Sequence, residues 1–198
     1  MQLTIPAGDF AAYLFDCDGT LADSMPIHYR AWLQAIRERG GDFPEDYFYS
    51  LAGVPHARTV EMINERFGYA LPVADVVRRK EELYEQFLHD VQPIAAVVAE
   101  VEKNFGRIPL AVVSGGPRAG VERTLKTLGL FAKFEVLVCA EDYLRGKPAP
   151  DPFLRAASLL KVEATRCLVF EDAEGGIVAA EAAGMKWVRV PATRETGA

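Results

Sequence analysis

Residues 10–20 have the sequence FAAYLFDCDGT, in which an apolar run, 10–15, is followed directly by Asp16 and Asp18. The run predicts a buried strand, and the two acids lie where that strand ends. In an open α/β sheet, ligands bind outside the carboxyl ends of the strands. Residues i and i+2 of an extended chain point the same way, so both carboxylates can face one centre. The segment predicts a metal and phosphate site; a turn rich in Asp and Gly is the alternative.

The overall composition is that of an ordinary soluble chain. The 198 residues suffice for one full core plus an insertion, or for two modest domains. The net charge of −6 argues against nucleic acid or an anionic membrane as the main partner. No apolar run approaches the roughly 20 residues of a membrane span, and residues 1–6 lack the basic start of a signal peptide. We therefore expect a cytoplasmic protein.

The chain has three cysteines, an odd number without paired spacing, which indicates neither a disulfide framework nor a zinc site. Cys139 and Cys167 lie in apolar runs and are expected in the core. Cys17 lies between the two acids, whose charges should raise the pKa of its thiol and weaken it as a nucleophile.

From about residue 93 onward, helical patterns alternate with short β-rich runs, which predicts a doubly wound parallel sheet. With 10–15, the predicted strands are 110–113, 134–139, 167–170 and 187–190. The predicted helices are 97–105, 118–128, 151–160 and 175–183. The sequence thus predicts an α/β catalytic core made of residues 1–22 and 93–198.

Residues 23–92 have helical spacing throughout and contain no convincing strand. The predicted helices are 28–39, 44–51, 58–67 and 73–89. We interpret 23–92 as an all-helical cap domain inserted just after the first strand. A module hinged so near the acids could close over them and exclude water.

Three further polar features follow predicted strands. Ser114, Gly115 and Gly116 follow 110–113 and precede a helix, so that a hydroxyl and unhindered amides could bind an anion. An ordinary N-cap serine is the alternative.

The second feature is Lys147, in the proline-rich segment GKPAPDP. Its ammonium can neutralise the charge of a phosphoryl oxygen; an exposed lysine in a rigid surface loop is the alternative.

The third feature is the acid pair Glu171 and Asp172, which suits a hard cation such as Mg²⁺. The alternative for this pair is a helix start, where the dipole favours acids.

In this order, the segments DCDGT, VVSGG, GKPAPDPF and VFEDAEGGI resemble the haloacid dehalogenase superfamily. Within it, the chain is similar to the β-phosphoglucomutase and sugar-phosphatase branch, including fructose-1-phosphate phosphatases. The resemblance implies a Rossmann-like core, a helical cap and a phosphatase that acts on small phosphate monoesters such as sugar phosphates.

The resemblance also implies residue roles. Asp16 would be the nucleophile that forms an aspartyl phosphate, and Asp18 the general acid and base. Mg²⁺ would be held by Asp16, the backbone carbonyl of Asp18, Glu171 and Asp172. The phosphoryl group would be bound by Ser114, Gly115, Lys147 and the amides of Cys17 and Asp18. Thr20 is expected to support the loop.

The cap loop 51–58 should help to select the substrate. Phosphoglucomutase-like members usually carry a lysine and an arginine where this chain has Ala52 and His56, which favours a phosphatase over a mutase. The candidate specificity residues are His28, Gly53, His56 and Arg58. Packing or surface roles are the alternatives for the histidines, and a surface salt bridge is the alternative for Arg58.

A phosphoacceptor signalling domain is a competing class, since receiver domains also combine acids, a hydroxyl and a lysine on a parallel sheet. In receiver domains, the phosphoacceptor carboxylate follows the third strand and the paired acids follow the first. In this chain, the candidate nucleophile Asp16 and its partner Asp18 share the loop after the first strand. We therefore expect an enzyme that takes a small phosphorylated metabolite. The sequence leaves the oligomeric state open, with a monomer favoured.

Overall fold

The structure is a computed structural model that describes residues 3–51 and 54–192. The chain divides into two compact units: one comprises the residues up to Asp23 together with those from Gln92 onward, and the other is Ser24–Val91. Among the described residues, no helix is both long enough and apolar enough to cross a membrane.

The first unit is organised by a parallel sheet. The strands of the described chain are, in order, β1 (Ala12–Phe15), β2 (Ala22–Asp23), β3 (Gln92–Pro93), β4 (Leu110–Val113), β5 (Val136–Val138), β6 (Cys167–Glu171) and β7 (Lys186–Arg189). Five of them form one sheet in the order β5-β4-β1-β6-β7, and every pairing in it is parallel. The five predicted strands are confirmed, with ends that differ by at most two residues.

The helices of the described chain are α1 (Met25–Arg37), α2 (Glu45–Ser50), α3 (His56–Phe67), α4 (Val73–Phe87), α5 (Ala95–Asn104), α6 (Arg118–Thr127), α7 (Asp151–Leu160) and α8 (Glu174–Ala182). Side chains of α5 and α6 join the apolar cluster that contains Phe15, and those of α7 and α8 join the cluster that contains Leu14. Because neighbouring strand residues point to opposite faces, the sheet is covered by helices on both sides. The prediction of a doubly wound α/β core is confirmed.

The central strands are held in register by apolar pairs. Leu14 lies beside Val169 on one face, and Phe15 lies beside Phe170 on the other. The rings of Phe15 and Phe170 stack with their centroids 4.6 Å apart, and all four side chains are fully buried. This packing fixes the ends of β1 and β6, where the polar residues begin.

A short antiparallel ribbon was not predicted. Ala22 pairs with Pro93 and Asp23 pairs with Gln92, so that the ribbon joins the two segments through which the chain leaves and re-enters the first unit. Each strand has only two residues, too few for a detectable alternation.

The described part of the second unit contains α1–α4 and a short 3-10 helix at Leu88–Asp90, as predicted for an all-helical insertion. Its core includes Trp32, Ile36, Ile63 and Leu83, all buried. The helix α1 begins at Met25, three residues before the predicted start at 28, with Pro26 in its first turn. Proline fits the first turn because the N–H that it lacks has no partner inside the helix there, so it did not mark a boundary.

Candidate active site

Three neighbouring strands bring the predicted polar residues to one edge of the sheet. Asp16 directly follows β1, Ser114 directly follows β4, and Glu171 is the last residue of β6. Since β1 lies between β4 and β6, and parallel strands end at the same edge, these residues belong to one region. The residues after Asp16 do form a turn, at 19–21, as the alternative predicted, but Asp16 itself is only 8% exposed and is therefore not a solvated turn residue.

Lys147 reaches this edge from the loop between β5 and α7. Its Nζ donates hydrogen bonds to Asp16 Oδ1 at 2.6 Å, Glu171 Oε2 at 2.9 Å and the Val113 carbonyl at 3.0 Å. The side chain is 13% exposed, so the alternative of an exposed surface lysine is wrong. Lys147 therefore connects the ends of β4, β1 and β6 through one ammonium group.

The carboxylates of the site disfavour one another's charge. Burial, and then the charge of Glu171, raise the pKa of Asp16 well above its usual value, while Lys147 opposes this shift. Burial likewise raises the pKa of Glu171, against the effect of Lys147. Burial alone would lower the pKa of Lys147, but the charges of Asp16 and Glu171 outweigh it and raise that pKa. The site thus requires positive charge to keep its acids ionised.

Asp172 is positioned by the first loop. The hydroxyl of the fully buried Thr20 donates to Asp172 Oδ1 at 3.1 Å, in agreement with the expected supporting role of Thr20. Gly19 has a φ of +86°, and a Cβ at this position would overlap the Asp172 carboxyl group. Glycine is needed there for both its conformation and its size.

The acidic residues form a donor set that suits a hard cation. Asp16, Glu171 and Asp172 each offer one carboxylate oxygen, and these atoms lie within 4.8 Å of one another. Magnesium prefers oxygen ligands, commonly one or two carboxylates with the remaining positions filled by water and phosphate oxygens. The residues present therefore fit Mg²⁺. Glu171 ends β6 and α8 begins only at Glu174, so the alternative that this acid pair starts a helix is wrong.

Ser114 is held tightly but does not cap a helix. Its N–H donates to the Val138 carbonyl at 2.9 Å, and its Oγ accepts from the Gly116 N–H at 3.0 Å. The N-cap position of α6 is occupied by Pro117, so the alternative of an N-cap serine is wrong. The serine is 2% exposed. Its hydroxyl is therefore buried, and the bond from Gly116 fixes it within the local turn.

Asp18 lies in a tight loop that returns toward β2. The Cys17 carbonyl accepts from the N–H groups of Leu21 at 3.0 Å and Ala22 at 2.9 Å, and the Gly19 N–H donates to the Ala22 carbonyl at 2.8 Å. That Asp18 shares the direction of Asp16 stays a prediction. Burial, followed by the charges of Asp18 and Asp16, raises the pKa of the Cys17 thiol well above its usual value, which agrees with the expectation that it is a poor nucleophile.

Three of the four candidate specificity residues are described by the structure, and each has a partner within the helical unit. The ring of His28 stacks on Tyr84, with centroids 4.1 Å apart. His56 Nδ1 lies 3.1 Å from Glu81 Oε1. Arg58 pairs with Glu61 and Glu65 on its own helix. Gly53 lies outside the described residues, and roles for all four in specificity stay predictions.

Two further residues, which were not predicted from the sequence, support the acid pair. Arg189 Nη1 donates to the Asp172 carbonyl at 3.2 Å. A Cβ at Gly176, in α8, would overlap the carboxyl group of Glu171. Gly176 lies within the segment VFEDAEGGI, but nothing in a single sequence indicates which of two successive glycines faces a carboxylate.

Known proteins resemble this chain over most of its length. A profile described as haloacid dehalogenase-like hydrolase matches residues 10–184. Fructose-1-phosphate phosphatase YqaB of Escherichia coli is 38% identical over 91% of this chain and 96% of its own length. Validoxylamine A 7'-phosphate phosphatase of Streptomyces hygroscopicus is 34% identical, covering 93% of this chain and 87% of its own.

Solved structures agree with the fold. The crystal structure of a predicted phosphoglycolate phosphatase from Haemophilus somnus has a TM-score of 0.83 at 21% identity, over 92% of this chain and 85% of that one. The predicted enzyme class, a phosphatase, is confirmed by the family match together with the names of the relatives. The chain belongs to the haloacid dehalogenase-like hydrolase family.

Proposed function

We propose that this chain is a Mg²⁺-dependent phosphatase that hydrolyses sugar phosphates and similar small monoesters through an aspartyl-phosphate intermediate. The observation that carries the proposal is the ammonium of Lys147 bonded to both Asp16 and Glu171 at the carboxyl edge of the sheet. A buried carboxylate beside a cation is suited to meet a phosphate dianion, because the cation reduces their repulsion.

In the first half-reaction, a carboxylate oxygen of Asp16 attacks phosphorus. A bond forms between this oxygen and phosphorus, and the bond between phosphorus and the ester oxygen breaks. Asp18, initially protonated, gives its proton to the departing alkoxide, which leaves as the free alcohol. The products of this step are aspartyl phosphate at Asp16 and an ionised Asp18.

In the second half-reaction, the ionised Asp18 takes a proton from water while the water oxygen attacks phosphorus. The bond between Asp16 and phosphorus breaks, which returns Asp16 to its carboxylate form and releases inorganic phosphate. The same carboxyl group therefore acts as acid and then as base, and ends the cycle protonated as it began.

The equatorial phosphoryl oxygens need fixed donors throughout. We assign this role to the Ser114 hydroxyl, the Gly115 amide, the Lys147 ammonium and the amides of Cys17 and Asp18. Mg²⁺ held by Asp16, the Asp18 carbonyl, Glu171 and Asp172 would neutralise charge on the phosphoryl group and on the nucleophile. Such donors are already in position before the reaction begins, so the site need not reorganise as charge develops on the phosphoryl oxygens.

Sugar phosphates are the substrate class that the relatives support, since YqaB is named for fructose 1-phosphate. We propose that the helical unit acts as the cap that selects the leaving group. The alternative, a mutase, needs cations in the cap for a second phosphate. At one of those positions His56 is already paired with Glu81. Burial would raise the pKa of Glu81, but His56 and Lys80 outweigh this effect and lower it to about 2.

We also propose that the enzyme acts in the cytoplasm as a monomer.

Phosphate release from a substrate panel tests this function. The purified protein with Mg²⁺ should release inorganic phosphate from fructose 1-phosphate, a hexitol phosphate or another panel sugar phosphate, and chelation of Mg²⁺ should abolish the release. Asp16→Asn is the matched inactive control. Release from no ester in a broad panel would contradict the proposal, and conversion of glucose 1-phosphate to glucose 6-phosphate without net release would indicate a mutase.

Asp18→Asn tests the acid and base role. An amide cannot transfer the proton, so kcat should fall by about 10²–10⁴-fold, while thermal unfolding with and without Mg²⁺ remains close to the wild type. Asp9→Asn, in a side chain that is 93% exposed, provides a control with the same chemical change. Turnover near the wild-type value in Asp18→Asn would remove Asp18 from this role.

The two glycines at the start of α8 provide a matched pair for the metal site. Gly176→Ala should displace the Glu171 carboxyl group and raise the Mg²⁺ concentration for half-maximal activity by about 10–100-fold. Gly175→Ala meets nothing within 4 Å and should leave Mg²⁺ dependence unchanged, with stability equal to the wild type or up to about 1 kcal/mol higher. The measurement is activity as a function of Mg²⁺ concentration in both variants. An equal Mg²⁺ requirement in the two would contradict the assignment of Glu171 as a metal ligand.

A further inference from the structure

The phenol of Tyr143 contacts the site from the same loop as Lys147, yet the mechanism above gives it no role. Tyr143 lies four residues before Lys147, and its hydroxyl donates to the Ser114 carbonyl at 3.1 Å. The side chain is partly buried and packs against the apolar cluster that contains Phe153 and Val138. The ring therefore has a fixed place, and its one polar atom points at the residue after β4.

Tyr143 and Lys147 bind successive carbonyls of one strand end. Lys147 Nζ donates to the Val113 carbonyl at 3.0 Å, and Tyr143 Oη donates to the next carbonyl, that of Ser114. Two bonds to adjacent peptide groups prevent the loop from rotating about either one. The loop that carries the cation is thereby locked to the residue that carries the hydroxyl.

The other polar groups of Ser114 are bonded to β5 and to the loop that follows Ser114. Its N–H is bonded to the Val138 carbonyl, and its Oγ accepts from Gly116. The bond from Tyr143 completes this set, since it occupies the Ser114 carbonyl. Without that bond, the peptide group between Ser114 and Gly115 would be less constrained, and with it the Gly115 amide and the adjoining Ser114 side chain.

We propose that Tyr143 is a positioning residue for phosphoryl binding, which holds Ser114 and the following amide in the geometry that meets the transferred group. The inference rests on the proposed function, because it assumes that Ser114 binds phosphate. Burial raises the pKa of Tyr143 above its usual value, so the phenol keeps its proton and stays a donor across the neutral range. Binding groups must be held within about 0.5 Å of their working positions, which makes one such bond consequential.

Tyr143→Phe tests the inference, because it removes the hydroxyl and keeps the ring that packs in the core. The affinity for inorganic phosphate, measured as its competitive inhibition constant and by calorimetry with Mg²⁺ present, should weaken roughly 3- to 10-fold. The value of kcat/KM should fall by a similar factor.

Tyr29→Phe is the matched control. Tyr29 Oη also donates to a backbone carbonyl, that of Phe43 at 3.2 Å, but within the helical unit. Both variants should lose similar thermal stability, whereas only Tyr143→Phe should weaken phosphate binding. Equal phosphate affinity in the two variants would overturn the inference and leave Tyr143 with a structural role alone.

A double-mutant cycle separates positioning from direct contact. If Tyr143 acts through Ser114, the effect of Tyr143→Phe on phosphate affinity should shrink in a Ser114→Ala background, because the hydroxyl to be positioned is gone. An undiminished effect there would overturn the inference. These outcomes are distinct from failure of the proposed function, in which the wild-type protein itself would release no phosphate.

Discussion

Buried acids at one edge of a parallel sheet require a counter-charge, and the rest of the site depends on this requirement. Asp16 and Glu171 are 8% and 2% exposed and share one ammonium, that of Lys147. Removal of one partner from such a buried set leaves an uncompensated charge, which costs more than the set contributes when complete. Because the acids need positive charge, the site can also bind a divalent cation. A phosphate bound at this edge would then lie beside the Lys147 ammonium.

The fold supplies this arrangement by placing unrelated segments side by side. The strands β1, β4 and β6 are neighbours although more than 90 residues separate the first two along the chain. Their interiors are apolar on both faces, so each strand is fixed by packing until its last residue. Polar side chains begin where this packing ends, which is the reason that the chemistry lies at the carboxyl edge.

Much of this was predictable because it depends on residue type and order. An apolar run followed by acids, as at Asp16, defines a strand end without knowledge of the rest of the chain. The contacts of Ser114 were not predictable, since its hydroxyl binds an amide two residues away instead of capping the helix. The pairing of His56 with Glu81 depends on two helices meeting, and spacing within one segment does not encode that. The role of Gly176 could not be predicted from the sequence either, because only the folded chain shows which of the two glycines faces Glu171.

The free energy of unfolding of Lys147→Met, measured by urea denaturation at neutral pH with and without Mg²⁺, tests the dependence on counter-charge most directly. Without Mg²⁺ the variant should lose about 3–5 kcal/mol, because Asp16 and Glu171 are left uncompensated. Mg²⁺ should restore part of that loss by binding the same carboxylates. Lys103→Met is the control, since its ion pair with Glu100 is on the surface and should contribute less than about 1 kcal/mol. A loss in Lys147→Met no larger than in this control, unchanged by Mg²⁺, would contradict the account.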